Sequence, residues 1–210
     1  MSLESALLYL VAPARVAAGG LVDLLPELAA AGVDVLQLRE KEMEAGDLLR
    51  VGAPLLEACR SAGIPFIIND RPDVARVLGA DGVHVGQNDL SPRAARQILG
   101  PGVVGLSTHA PEEVGASLEL GGILDYVAVG PVNATPTKPG RPGTGISLVE
   151  HAARTLKLPW FVTGGMAEDT LEPVLEAGAR RIVVVRAITE ASDPPAVAAR
   201  LKDKLRAANG

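Results

Sequence analysis

Aromatic side chains are scarce in this 210-residue sequence: one Trp, two Tyr and two Phe. So few rings exclude a base-stacking platform for single-stranded nucleic acid. A net charge of −5 and a pI near 5.3 leave no general basic face for a duplex. Cysteine occurs once, at Cys59, so neither an internal disulfide nor a cysteine-rich zinc site is available. No apolar run approaches the roughly 18–20 residues that span a bilayer. The first residues also lack the basic onset of a secretory signal. These absences lead to the expectation of a cytoplasmic protein with no nucleic-acid or membrane partner. A homo-oligomer stays open.

What is abundant is aliphatic. Hydrophobic residues make up 48% of the chain, enough for one large domain with a substantial core. Short apolar runs recur at Leu7–Val11, Val33–Arg39, Pro65–Ile68, Gly82–Val85, Val103–Leu106, Tyr126–Val129, Trp160–Val162 and Arg181–Val185. Helical stretches separate them at Leu21–Ala31, Ala45–Ser61, Pro72–Leu78, Pro92–Leu99, Pro111–Leu120, Ser147–Leu156 and Glu168–Ala177, and Pro194–Ala207 closes the chain. Runs such as IVVV and FII do not alternate with polar residues, which suits parallel strands covered on both faces. Eight such units in one chain predict a (β/α)8 TIM barrel as a single domain covering 1–210. A doubly wound open sheet is the runner-up. No GxGxxG motif opens the first helix, which weakens a dinucleotide-binding reading.

Barrel chemistry sits where strands end and helices begin. Sorted by rim, the polar residues fall on that side: Gln37, Arg39 and Lys41; Asn69, Asp70 and Arg71; Gln87 and Asp89; Ser107 and His109; Arg186. Asp70 and Asp89 follow neighbouring strands, and two carboxylates at one rim suggest Mg²⁺, which takes one or two carboxylates plus phosphate oxygens. Gly164-Gly165 offers backbone N–H groups to an anion ahead of the next helix. Thr135, Thr137 and Lys138 add two hydroxyls and an ammonium. They lie on residues 131–146, a 16-residue stretch with four prolines and three glycines, expected to be a mobile active-site loop. Taken singly, Asp70 and Asp89 could instead cap the helices beginning at Pro72 and Pro92. His84 reads as a packed, hydrogen-bonded strand residue away from the chemistry, and Asp81 as a turn residue at the opposite rim.

The same residues carry a family resemblance. Gln37-Leu38-Arg39-x-Lys41, Asn69-Asp70-Arg71, Ala80-Asp81-Gly82-Val83-His84-Val85-Gly86-Gln87-x-Asp89, Gly105-Leu106-Ser107-Thr108-His109, Gly130-Pro131-Val132, Thr135-Pro136-Thr137-Lys138, Gly164-Gly165 and Ala187-Ile188 occur in this order. Together they resemble the thiamine-phosphate synthase family along nearly the whole chain. The resemblance implies a transferase that joins 4-amino-2-methyl-5-hydroxymethylpyrimidine diphosphate to a thiazole phosphate, releasing diphosphate. It implies that diphosphate leaves first and that the thiazole nitrogen captures a pyrimidine-stabilised carbocation. It assigns Mg²⁺ to Asp70 and Asp89, and the diphosphate to Arg39, Lys41, Asn69 and Lys138. Gln37 and Ser107 would meet polar edges near the diphosphate or the pyrimidine. Thr135, Thr137, Gly164 and Gly165 would face the thiazole phosphate, with Arg186 and Ala187 beside them. The expected catalytic residues are Lys41, Asp70, Asp89, Ser107 and Lys138. Two positions depart from the family pattern: Asn133 stands where an aromatic is common, and Arg186 where Ser is frequent. The alternatives are an isomerase resembling the thiazole tautomerases, with His109 as acid–base, and a non-catalytic thiazole- or thiamine-phosphate binding regulator.

Overall fold

The computed structural model describes residues 3–16, 19–134 and 143–210. Eight parallel strands close into a barrel: β1 (Leu8–Ala12), β2 (Val35–Leu38), β3 (Phe66–Asn69), β4 (Gly82–Val85), β5 (Val103–Thr108), β6 (Tyr126–Val129), β7 (Trp160–Val162) and β8 (Ile182–Val184). Each strand pairs with the next in sequence, and β8 pairs with β1 to complete the ring. The helices between them are α1 (Leu21–Ala30), α2 (Ala45–Ala62), α3 (Pro72–Leu78), α4 (Pro92–Leu99), α5 (Pro111–Leu118), α6 (Ile146–Thr155) and α7 (Leu171–Glu176). After β8 come a short α8 (Arg186–Thr189) and the closing α9 (Pro194–Asn209). The expected (β/α)8 barrel is the observed fold. Its strands read as unbroken aliphatic runs because both faces are covered: all five residues of β1 are buried.

Alternation sorts each strand into two cores. Leu8 and Leu10 pack outward against the helices, with Leu36, Leu38, Phe66 and Ile68. Tyr9, Val35, Ile67, Val103, Tyr126, Phe161 and Val183 turn inward and fill the barrel, joined by Leu3 and Ala6. Three of the few aromatics therefore meet inside, with Phe161 edge-on to both tyrosines at centroid distances of 5.4 and 5.7 Å. Gly105 makes that possible, since a Cβ there would lie 2.1 Å from Tyr126 Cζ.

The N-terminal rim is stapled. Asp34, just before β2, accepts from the N–H groups of Leu7 (2.7 Å) and Leu8 (2.9 Å) at the start of β1. Asp81, before β4, accepts from Phe66 N at 2.9 Å, and Asp125, before β6, accepts from Val104 N at 2.8 Å. Asp81 thus does more than shape a turn: it ties the first residue of β3 to the foot of β4. Asp34 also pairs with the buried Lys202 of α9.

Several strand and helix ends shift by one or two residues from the sequence reading, and three differences go further. Residues Arg15–Val16 and Gly19–Gly20 form a small antiparallel ribbon before α1. Helix α7 begins at Leu171, because Thr170 Oγ1 accepts from Ala167 N and donates to Gly165 O, holding residues 165–170 in a turn. Strand β8 ends at Val184, and Arg186 opens α8 instead of ending a strand.

A paired substitution checks the inner core. Gly105→Ala should lower stability by about 1–3 kcal/mol, because overpacking displaces the Tyr126 ring. Gly115→Ala, with nothing within 4 Å on α5, should stabilise by about 0.5–1 kcal/mol. Urea unfolding midpoints of the two variants and the parent measure both effects.

Candidate active site at the C-terminal rim

Above the aromatic layer the inward positions of four strands turn polar while Val11 and Ala128 stay apolar, and a cavity of about 400 Å³ opens at the C-terminal ends of the strands. Its size lies within the range of small-molecule sites. Gln37 of β2, Asn69 of β3, His84 of β4 and Ser107 of β5 line it from inside, each one register step above an apolar inward residue of its strand or a glycine. Arg39, the Gly164-Gly165 pair, Arg186 and Ala187 line its mouth. The expected candidates Gln37, Arg39, Asn69, Ser107, Gly164, Gly165, Arg186 and Ala187 are thus brought to one cavity.

Its floor is a continuous chain of hydrogen bonds. Gln37 Nε2 donates to Tyr9 Oη at 2.7 Å, and Tyr9 Oη lies 2.9 Å from Tyr126 Oη. Tyr126 Oη is 2.9 Å from His84 Nδ1, and His84 Nε2 is 2.8 Å from Ser107 Oγ. The imidazole also stacks on the Tyr126 ring, 28° from coplanar. All five residues are buried, and burial pushes both phenols well above their ordinary range. His84 is packed and hydrogen-bonded as expected, yet it lines the cavity rather than lying away from it. The sequence reading missed Tyr9 and Tyr126; their one visible signal is an aromatic at an inward strand position in a chain almost without aromatics.

Asp70 and Asp89, after β3 and β4, are not among the residues lining this cavity: Asp70 directly follows the lining residue Asn69, and Asp89 lines a second hollow of about 240 Å³ with Gly86 and Gln87. Neither caps a helix. The residue preceding α3 is Arg71, which makes no side-chain cap, while Ser91 Oγ caps α4 by accepting from Ala94 N at 3.3 Å. Asp89 Oδ2 instead accepts from Gly86 N at 2.8 Å, closing the turn after β4. Asp70 adopts φ 61°, a left-handed conformation that Asp tolerates better than most residues, and its N–H donates to His84 O at 2.8 Å. Lys41 Nζ sits 3.4 Å from Asp70 Oδ2. Burial, and then the hydrogen bond and negative charge of Asp89, raise the Asp70 carboxyl above its ordinary value against the pull of Lys41. Two carboxyl groups this close, one of them held high, fit a divalent cation that neutralises both. Among the described residues no cluster of three His, Cys, Asp or Glu is present, so a cation held here would need further oxygens from substrate or water.

At the mouth, Gly164 has φ 104° and Gly165 φ 67°, and a Cβ on Gly164 would lie 2.4 Å from Pro131 Cα. Both therefore need glycine. Gly164 O accepts from Asn133 N and Asn133 Nδ2, each at 3.3 Å, so the residue that departs from the family pattern braces this loop. Because α7 starts six residues after Gly165, the pair presents loop backbone and no helix terminus. Arg186 Nε is 2.8 Å from Glu190 Oε1, an exposed pair within α8 and the following residue. His109 Nδ1 is 3.0 Å from Glu113 Oε2 across the first turn of α5, and His109 is not among the residues lining the cavity. Thr135, Thr137 and Lys138, and most of the expected mobile loop, lie outside the described residues.

The raised Asp70 carboxyl predicts a pH-dependent cost of folding. Folded protein binds more protons than unfolded chain between the ordinary value of 3.8 and the raised one. The cost is absent below that window, sets in as pH rises through it and is complete above it. Asp70→Asn should therefore melt higher than the parent at pH 7 in EDTA, with the difference closing near pH 3.8. Thermal unfolding at the two pH values checks it; equal melting temperatures at both would show that the carboxyl carries no such strain.

Known proteins agree with this geometry. Residues 8–188 match the family model described as thiamine monophosphate synthase. The thiamine-phosphate synthase of Thermus thermophilus is 52% identical over 185 residues, covering 88% of each chain. That of Thermobifida fusca is 50% identical over 208 residues, covering 98% of this chain and 95% of its own. The solved thiamine phosphate pyrophosphorylase of Pyrococcus furiosus superposes with a TM-score of 0.87 at 26% identity, covering 97% of both chains. With the barrel, the polar cavity and the rim carboxylates in place, these matches make the chain a member of the thiamine-phosphate synthase family of transferases.

Proposed function

We propose that the rim cavity binds the pyrimidine diphosphate and the thiazole phosphate together and joins them into thiamine phosphate. The bond between the pyrimidine methylene carbon and the diphosphate oxygen breaks, and its electron pair leaves with diphosphate. The thiazole nitrogen then gives its lone pair to that carbon. No proton need be moved by the protein, so catalysis comes from neutralising the leaving group and keeping water from the cation. The observation that carries this reading is the meeting of Asp70, Asp89 and Lys41 directly after Asn69, which with Arg39 lines an open cavity whose floor carries polar side chains.

Asp70 and Asp89 would hold Mg²⁺, which when bound supplies positive charge to the diphosphate oxygens. Arg39, Lys41 and Asn69 bind the same oxygens from the protein side, with Lys138 joining them from the loop. Thr135 and Thr137, with the N–H groups of Gly164 and Gly165, bind the thiazole phosphate. Arg186, released from Glu190, reaches that phosphate with a two-pronged guanidinium where a Ser would offer one hydroxyl. Among the described residues no helix is long and apolar enough to cross a membrane. A cytoplasmic setting suits the single thiol, Cys59, which is buried. The tautomerase alternative is less favoured, because His109 is engaged by Glu113 away from the cavity lining.

Incubation with both substrates and Mg²⁺ should yield thiamine phosphate and diphosphate in equal amounts, and EDTA should stop it. No product from folded protein would overturn the proposal. Asp70→Ala or Asp89→Ala should each lower turnover at least about 10²-fold. Activity that survives both changes would remove the metal assignment. His109→Ala should cost less than either, and complete loss there would favour the isomerase.

A further inference from the structure

The buried chain at the cavity floor has a direction, and the direction has a chemical consequence. We infer that Tyr9, Tyr126 and His84 are positioning residues which fix the hydrogen-bond polarity of the floor, presenting Ser107 Oγ to the substrate as a donor and Gln37 Oε1 as an acceptor. The inference rests on the proposal that the pyrimidine ring sits on this floor.

The polarity follows link by link. The Gln37 Nε2 group can only donate, and it lies 2.7 Å from Tyr9 Oη. Tyr9 is buried and keeps its proton, since burial raises its phenol; the neighbour left to receive that proton is Tyr126 Oη at 2.9 Å. A hydroxyl hydrogen left unsatisfied in so dry a place would be costly. Tyr126 keeps its own proton for the same reason and passes it toward His84 Nδ1 at 2.9 Å. An Nδ1 that accepts places the imidazole proton on Nε2, which then donates to Ser107 Oγ at 2.8 Å. The hydroxyl hydrogen of Ser107 is thereby turned away from His84 and into the cavity that Ser107 lines. At the other end, Gln37 has its NH₂ group on Tyr9 and its carbonyl oxygen left to accept from a ligand.

The residues span β1, β2, β4, β5 and β6, so no single loop motion can reverse the chain. Gly105 holds the passage open: a Cβ there would lie 2.5 Å from Tyr126 Oη. A floor with one fixed donor and one fixed acceptor suits a heterocycle that brings a ring-nitrogen lone pair and an exocyclic amino group. It opposes the corresponding oxo form, whose ring N–H and carbonyl oxygen invert both contacts. The chain is thus a specificity device, built from side chains that need not touch the reacting atoms.

Long-range ¹H–¹⁵N correlation spectra of full-length protein labelled at histidine nitrogen test the direction without any substrate. His84 resonances are identified by their loss in His84→Gln. The parent should show the proton on Nε2 and a bare Nδ1, and Gln37→Glu, which replaces the donor by an acceptor, should move the proton to Nδ1. A parent proton on Nδ1 or on both nitrogens would overturn the inference, as would a tautomer indifferent to Gln37→Glu. Tyr126→Phe, which keeps the ring packing, gives the second arm. It should lower the ratio of kcat/KM for the aminopyrimidine diphosphate over its oxo analogue by at least about 10-fold, the scale of one unmatched buried polar contact. An unchanged ratio would overturn the specificity role. A parent that turns over neither compound, yet shows His84 protonated at Nε2, would defeat the proposed function and leave the polarity standing.

Discussion

The hydrogen bond between Tyr9 and Tyr126 joins opposite sides of the barrel interior, and it divides the molecule. Below it the inward residues are apolar and tightly packed, from Val35, Ile67 and Val103 down to Leu3. Above it Gln37, Asn69, His84 and Ser107 stand among apolar Val11 and Ala128 and leave room for a ligand. A barrel of eight strands has just enough interior to be filled by side chains, so a cavity at one end requires large residues to seal the middle. Two phenols and Phe161 supply that seal, and the phenol oxygens make its upper face compatible with polar ligands. Glycines on the facing strands accommodate the rings and close strand packing: at Gly82 a Cβ would lie 2.3 Å from Val103 O, and at Gly105 it would strike Tyr126.

Stability and chemistry pull apart at the rim. Asp70 is held in a left-handed backbone conformation, partly buried, with a second carboxyl beside it and one lysine in partial compensation. The buried carboxyl costs the fold, and Lys41 offsets only part of that cost. The arrangement creates a site short of positive charge that a cation or a cationic side chain can relieve, so binding and folding share the same electrostatic deficit.

Much of this was readable from the sequence because side-chain direction in a strand follows from position alone. The rim sort needed only the ends of the strands, and Gln37, Asn69, Ser107 and Gly164-Gly165 do converge. Contacts set by distance in space were not readable. Tyr9 and Tyr126 are 117 positions apart, and nothing local marks either as a hydrogen-bond partner of the other. Asp81 reads as a turn residue and Asp34 falls within the run Val33–Arg39, because the N–H groups that they and Asp125 bind lie near the starts of preceding strands, 15 to 27 positions away. The start of α7 moved because one hydroxyl, that of Thr170, closes a turn that helix propensity does not register. Arg186 reads as a strand end, and β8 stops short of it, because α8 begins there.

The aspartate staples have a consequence for how the ring is divided. They bind β1 to β2, β3 to β4 and β5 to β6, so the barrel is assembled from clasped couples. In the fourth couple the place before the even strand is taken by Arg181, whose guanidinium donates to Glu4 O and whose carbonyl, not a side-chain carboxylate, accepts from Val162 N of β7. That couple also shares one register pair, Ile182 with Val162, where the other neighbouring strands share three or four. The ring thus has a seam between β7 and β8, beneath Gly164, Gly165 and Arg186. Among the described residues it is the arc of the wall with the fewest register pairs, and it lies beneath the seat proposed for the thiazole phosphate.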